Sequence, residues 1–344
     1  MDKYDISVIT PIYNMEKFAA AGVRSLKEQT GINAEFIFVN DGSKDKSAEI
    51  IEAEIAGLPN FRLISTENRG AGPARNTGIE AASGKYLYFF DIDDRLVSGA
   101  LKKMFELAES AGCDLLVFAY IARLSDTDEP KLIKRIQKSV SGDEARKNYD
   151  KYMVGETAIQ GAPWNKLFRR DITTENGIEY PPLRRNQDEV FIMRYMAHAE
   201  KIRIESDALY DHLLNTQERM WLKYRLDYDE NTEKLFGFYN DIILKWNPDS
   251  SGVKRLLSRA YYKNMLDAMK VLFNPKWKLG TKEKYEMLKK RLLKYRENAV
   301  KYDTGTTDEL VRKSRLYPFM RKGPAIILYT LLSLNAKKKS ALKI

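Results

Sequence analysis

Short apolar runs alternate with helical patterns through the first 120 residues. Ile6 to Ile9, Glu35 to Val39, Phe61 to Ile64, Tyr86 to Phe90 and Leu115 to Phe118 read as strands. Between them, Met15 to Gln29, Ser47 to Ile55, Ala71 to Ala82 and Leu101 to Ala111 carry the period of helices, with Phe18, Ala21 and Leu26 on one side of the first. Strands every twenty to thirty residues with helices between them predict an α/β fold, its sheet mostly parallel and covered on both faces. Residues 124–150 are polar and weakly periodic and read as a loop or lid. From Ala162 to Leu213 the pattern is mixed: Trp164 to Phe168, a helix from Glu189 to His198, and a strand around Lys201 to Ile204. From Trp221 onward the period is helical, in Tyr224–Leu244, Val253–Leu272 and Thr281–Ala299, which predicts a helical appendage.

In a sheet of this kind the loops at the carboxyl ends of the strands line the ligand crevice. Four successive strand ends here are polar: Thr10-Pro11-Ile12-Tyr13-Asn14, Asn40-Asp41-Gly42-Ser43, Glu67 to Gly78, and Asp91-Ile92-Asp93-Asp94. Tyr13 offers an aromatic face to a nucleobase, Asp41 an acceptor for a base N–H, and Arg75 a fixed cation. Asp91 suits ribose hydroxyls, and Asp93 a divalent ion on a diphosphate. Blander roles compete at each place. Asp41-Gly42-Ser43 also makes an ordinary turn, Tyr13 could be a packing residue, and Asp93 and Asp94 could cap a helix beginning near Val97. Gly70-Ala71-Gly72 follows the third strand and lacks a third glycine, and no Gly-Lys-Ser/Thr phosphate loop occurs.

Composition narrows the classes. A single cysteine, Cys113, excludes an intrachain disulfide, and with two histidines a structural zinc site is not expected. The start, Met1-Asp2-Lys3-Tyr4-Asp5, lacks the basic-then-apolar pattern of a signal peptide, and no apolar window is long enough to span a bilayer. The net charge of +10 is unevenly spread: residues 251–344 hold 24 Lys+Arg against 7 Asp+Glu.

Taken together, Pro11-Ile12-Tyr13-Asn14, Asn40-Asp41-Gly42-Ser43, Asn68-Arg69-Gly70 with Ala74-Arg75-Asn76-Thr77-Gly78, and Phe90-Asp91-Ile92-Asp93-Asp94 resemble the family 2 glycosyltransferases of the GT-A fold. Trp164-Asn165-Lys166-Leu167-Phe168-Arg169-Arg170 and Asp188-Glu189-Val190-Phe191 extend the match. The resemblance covers about residues 4–215 and implies a GT-A domain over 1–215; helical periodicity and charge set apart a helical subdomain over 216–315 and a basic tail over 316–344. It implies a nucleotide-sugar donor, most often UDP-linked, held by Pro11, Tyr13, Asn14, Asp41, Asn68, Arg75, Asp91 and Asp93. It also implies Mn²⁺ or Mg²⁺ on Asp91 and Asp93, and inversion by single displacement. The family's Glu-Asp pair reads Gln187-Asp188 here, which makes Asp188 the catalytic base and leaves Glu189 an extra acid. Trp164 could stack on a sugar, of the acceptor above all, or belong to the core. His212 could face the metal or pyrophosphate or be merely structural; His198 is read as structural.

The acceptor expected is a hydroxyl of a cell-surface polysaccharide or lipid-linked saccharide. The tail pairs an apolar run, Ala325 to Leu334, with Arg321, Lys322 and Lys337-Lys338-Lys339. This suggests an anionic membrane surface as partner rather than nucleic acid, and a cytoplasmic protein peripheral on the inner face of the membrane; a solvated basic helix docked by its apolar side on the helical subdomain is the competing reading. A nucleotidyltransferase making sugar nucleotides, or a non-catalytic sugar- or nucleotide-binding protein, would use a similar scaffold. The first should show a Gly-rich basic loop after the first strand, and the second should lack the acids.

Overall fold

The computed structural model describes residues 3–123, 129–213, 227–274, 277–302 and 314–341. The chain divides into two compact units, Met1–Gln217 and Glu218–Ile344.

In the first unit, β1 (Tyr4–Ile12), α1 (Glu16–Lys27), β2 (Ala34–Asp41), α2 (Ser47–Ile55), β3 (Phe61–Thr66), α3 (Ala71–Ala81) and β4 (Gly84–Phe89) follow the predicted alternation. After them come β5 (Arg95–Leu96), α4 (Ala100–Ala111), β6 (Leu115–Arg123), β7 (Lys131–Ile133), β8 (Lys138–Ser141) and α5 (Gly142–Lys147). The unit closes with β9 (Lys166–Arg169), α6 (Arg170–Glu175), α7 (Gln187–Met196) and β10 (Lys201–Leu213). The strands join in the order β3-β2-β1-β4-β9-β6-β10-β5, with β7 on β6 and β8 on β10. The parallel character expected from the pattern holds for β3-β2-β1-β4 and for β6–β10. β9 enters antiparallel between β4 and β6. This is the GT-A-type α/β sheet, with a helical region following it.

The physical reason for the parallel half is burial on both faces. All eight residues of β2 are buried, which a strand achieves only between two covering layers. Of its two acidic side chains, Glu35 is satisfied by the Ser7 hydroxyl at 2.6 Å, the Ser83 hydroxyl at 2.8 Å and Arg62 at 3.0 Å. Buried carboxylates persist only when paired in this way.

Three elements differ from the sequence pattern. The polar stretch 124–150 is no open loop where it is described: β7, β8 and α5 occupy it, and residues 124–128 lie outside the described residues. Their ladders form at exposed edges, so polar side chains leave no strand periodicity to read. β10 runs nine residues beyond Ile204, with irregular register between Glu205 and Tyr210, and so carries Tyr210 and His212 to the end of the sheet. The helix expected near Val97 starts at Ala100 with Gly99 as its N-cap, so neither Asp93 nor Asp94 caps it.

The second unit holds α8 (Tyr228–Phe238), a π-helical turn at Tyr239–Ile243, α9 (Leu244–Trp246), α10 (Ser251–Val271), α11 (Thr281–Ala299), α12 (Tyr317–Arg321) and α13 (Ala325–Ala341). The predicted start of the first of these helices, residues 224–226, lies outside the described residues. Leu235, Phe236, Leu257, Tyr261, Met265, Leu288 and Leu292 are buried within this unit. Arg291 is buried too, paired with Asp229 at 2.9 Å. α12 and α13 are tied into this unit. Arg296 of α11 donates to the carbonyls of Phe319, Met320 and Gly323, and Met320, Leu328 and Leu332 are buried.

Gly78 lets α3 lie directly on β1, because a Cβ there would sit 2.3 Å from the Ile9 Cγ2. Gly78→Ala should therefore cost about 1–3 kcal/mol, the usual range for overpacking, measured as a lower urea midpoint. An unchanged midpoint would mean that the helix–strand spacing yields freely.

Candidate active site

β4 ends at Phe89, and the chain then turns through Asp91-Ile92-Asp93-Asp94, closed by the Asp94 N–H donating to the Asp91 carbonyl at 3.0 Å. The three carboxylates face different partners. Asp94 is buried and accepts from the Tyr210 hydroxyl at 2.6 Å, from His212 Nδ1 at 3.0 Å and from the Leu213 N–H at 2.7 Å. It is thus a clamp between the acidic turn and the end of β10. Burial opposes charging of His212, but its bond to Asp94 and the neighbouring aspartates outweigh this and raise the imidazole. An ionised Asp94 makes Nδ1 the donor and leaves Nε2 as the imidazole's acceptor.

Asp91 pairs with Arg75 at 3.0 Å. Arg75 is 5% exposed, sits on α3, and its other terminal nitrogen reaches Asp188 Oδ1 at 3.1 Å. One guanidinium therefore spans the acidic turn and the first turn of α7. Burial works against the charge on Arg75, yet Asp188 and Asp91 hold it above the ordinary arginine value. For Asp188 the balance runs the other way. Desolvation raises its carboxyl, Arg75 pulls it down, and Asp91 and Glu189 push it up again.

Two features bring α3 and α7 together. Gly72 leaves room for Gln187, whose Oε1 would lie 2.5 Å from a Cβ at position 72. Asn76 holds the segment before α7 by both backbone groups of Tyr180: its Nδ2 donates to the carbonyl at 3.0 Å, and its Oδ1 accepts from the N–H at 2.8 Å. Asn186, at a φ of 58°, occupies the N-cap position of α7, so Asp188 is not the cap; it points to Arg75 from inside the first turn. Glu189 accepts from the Asn186 amide at 2.6 Å.

The remaining predicted residues lie at neighbouring strand ends. Asn14, at a φ of 53°, ties the end of β1 to the loop after β2: its N–H donates to the Ser43 hydroxyl and its Oδ1 accepts from the Lys44 N–H. Asn14 and Tyr13 are exposed beyond β1, and Pro11 is partly buried within it. Asp41 is buried, its two oxygens accepting the Arg69 and Gly70 N–H groups at 2.8 Å each. Its carbonyl accepts from the Asn68 amide at 2.9 Å. Asp41 and Asn68 thus hold the loop that leads into α3. Trp164 is buried, stacked on Tyr210 and His212 at 4.6 and 4.7 Å, with the edge of Tyr120 against it. It is a packing residue beneath the Asp94 clamp.

Sequence reasoning missed Tyr180, Tyr210 and Lys166. Tyr180 stacks on Phe191 and lies under the Arg75 guanidinium. Lys166 is buried, donates to the Ala162 carbonyl and the Asn165 amide oxygen, and is lowered by burial. A lysine in a strand whose neighbours are apolar was the available signal for the last. A cavity of about 190 Å³ opens beside the acidic turn, with Lys17, Asp93, Arg95, Arg123 and Asp211 among its lining.

The site fits a divalent cation. Burial first, and then the charges of Asp91 and Asp94, push the Asp93 carboxyl up to about 7 against the opposing pull of His212, so a cation beside it would favour its ionised form. Among the described residues no three acidic, histidine or cysteine side chains form a metal cage.

A sequence profile described as Glycosyl transferase family 2 matches residues 7–176. EpsH of Bacillus subtilis, a glycosyltransferase by name, is 32% identical over 219 residues, 62% of each chain. EpsJ of the same organism, also a glycosyltransferase by name, is 30% identical over 244 residues, 68% of this chain and 70% of its own. The chain thus spans less than two thirds of EpsH. Among solved structures, Staphylococcus aureus TarS residues 1–349, in complex with UDP-GlcNAc, superimposes with a TM-score of 0.68 at 20% identity, covering 97% of this chain and 92% of that one.

Arg75→Met should leave two carboxylates, 29 and 32% exposed, without their buried cation and destabilise the protein by about 1–3 kcal/mol at neutral pH. Asp188 binds its proton more tightly folded than unfolded, so ionising it costs stability as pH rises, and the variant should feel this more. Its deficit, read from urea unfolding at pH 5 and pH 7, should shrink at the lower pH. A deficit independent of pH would remove the charge argument.

Proposed function

Since this chain belongs to glycosyl transferase family 2, we propose that it transfers a sugar, with inversion, from a UDP-sugar to a hydroxyl of a cell-surface polysaccharide or glycolipid. The observation that carries this reading is the single guanidinium joining Asp91 to Asp188. It sets a candidate base and a candidate donor-holding acid on either side of one cation. A donor of the UDP class is supported by the UDP-GlcNAc complex of the TarS neighbour.

Asp188 accepts the acceptor's hydroxyl proton as the new glycosidic bond forms, which is why its carboxylate must stay ionised and close to the reacting carbon. Arg75 serves both needs: it holds the charge on Asp188 and orients it from α3, while keeping Asp91 aimed at the donor. Tyr13 offers its exposed ring to the base, and Pro11, Asn14, Asp41 and Asn68 shape the rim around it. Asp91 and Asp93 would hold Mn²⁺ or Mg²⁺, which when bound supplies positive charge to the diphosphate as it leaves. Trp164 contributes to acceptor binding through the surface it supports rather than as an open platform.

Metal-dependent release of UDP from a panel of UDP-sugars tests the assignment. Asp188→Asn should retain the thermal shift produced by donor with Mn²⁺ and lose at least ~10²-fold in turnover. Near-normal turnover would remove Asp188 from the role. Asp93→Asn should lose the Mn²⁺-dependent part of that shift, and retention of it would place the cation elsewhere.

A further inference from the structure

α13 has two apolar sides, and the protein uses one. Leu328 and Leu332 are buried against the rest of the second unit, with Tyr329 against Phe273 and Tyr285. On the other side Ile326, Ile327 and Leu334 are 54, 40 and 52% exposed, with Leu331 partly buried between them. The spacing 327, 331, 334 keeps these residues on one helical face. Lys322, exposed, and Arg321 precede the helix, and the sequence continues Lys337-Lys338-Lys339 and Lys343. From residue 316 to the end there are six Lys or Arg and no Asp or Glu.

Water is a poor solvent for three large aliphatic side chains side by side, and an aqueous protein partner would not by itself call for an all-cationic border. A lipid surface with anionic headgroups answers both: acyl chains take the aliphatic side chains and headgroups take the lysines. The apolar run of about ten residues spans about 15 Å as a helix, half of a bilayer core, so it lies in the interface plane and does not cross. Consistently, no helix among the described residues is long and apolar enough to cross a membrane. We propose that the exposed side of α13, bracketed by its basic residues, docks on an anionic phospholipid surface.

Deleting the tail is a poor test, because it would remove the buried Met320, Leu328 and Leu332. Instead, the full chain is sedimented with phosphatidylglycerol-containing vesicles and with pure phosphatidylcholine vesicles. Binding is expected to the anionic vesicles only, and to weaken with salt. Ile326→Ser/Ile327→Ser/Leu334→Ser should weaken it at least tenfold with an unchanged melting temperature. Lys337→Gln/Lys338→Gln/Lys339→Gln should weaken it about 100-fold, or roughly fivefold per charge. Equal binding to both vesicle types, no binding to either, or full binding by the triple serine variant would overturn the proposal. So would a dimer in light scattering that the serine variant dissolves, since a second copy would then cover this face.

Discussion

The site depends on one buried guanidinium. Arg75 is where α3, the acidic turn after β4 and the first turn of α7 meet, and each contributes either the cation or one of its two anions. A buried charge is tolerated only with partners, and a carboxylate crowded by protein drifts toward its neutral form unless a cation opposes it. Arg75 and the two aspartates therefore sustain one another's charge. The same contact that makes the arginine tolerable in the interior opposes the neutral form of Asp188.

Around that contact the fold supplies positioning rather than further charge. Gly72 and Asn76 set the distance between α3 and the α7 segment, Asp41 braces the loop entering α3, and Asp94 secures β10 to the acidic turn. Asp93 is the exception. It has neither the Arg75 partner of Asp91 nor the clamp of Asp94, and burial, followed by the charges of those two, raises its carboxyl to about 7. The three aspartates of one short turn thus divide into a structural clamp, an arginine partner and a third carboxyl raised by burial and by the other two.

The parallel half of the sheet was legible because continuous apolar runs have one good explanation, burial on both faces, and β1, β2 and β4 fall where those runs lie. The polar strand ends were legible for the same reason, as abrupt ends to those runs. The edge strands β7 and β8 were not, since an exposed ladder needs no apolar alternation. Asp94 could not be told from Asp93 by sequence, because their difference comes from Tyr210 and His212, more than a hundred residues away on a strand whose irregular register hides its length. Trp164 read equally well as sugar platform or core, and only its stack on Tyr210 and His212 separates the two.

Several contacts that complete the site bridge long stretches of chain: Asn76 to Tyr180, Arg75 to Asp188, and Asp94 to His212, separated by 104, 113 and 118 residues. By contrast, β1, β2 and β3 find their strand partners within the first ninety residues. Closing long loops carries an entropic cost that must be met before distant contacts repay it, so order should spread from the amino-terminal strands and reach the reacting groups last. On a ribosome, this means that the early sheet can fold before the Arg75–Asp188 contact exists. The assembled cluster then arrives as a late event of biosynthesis, once β10 has emerged and locked into place.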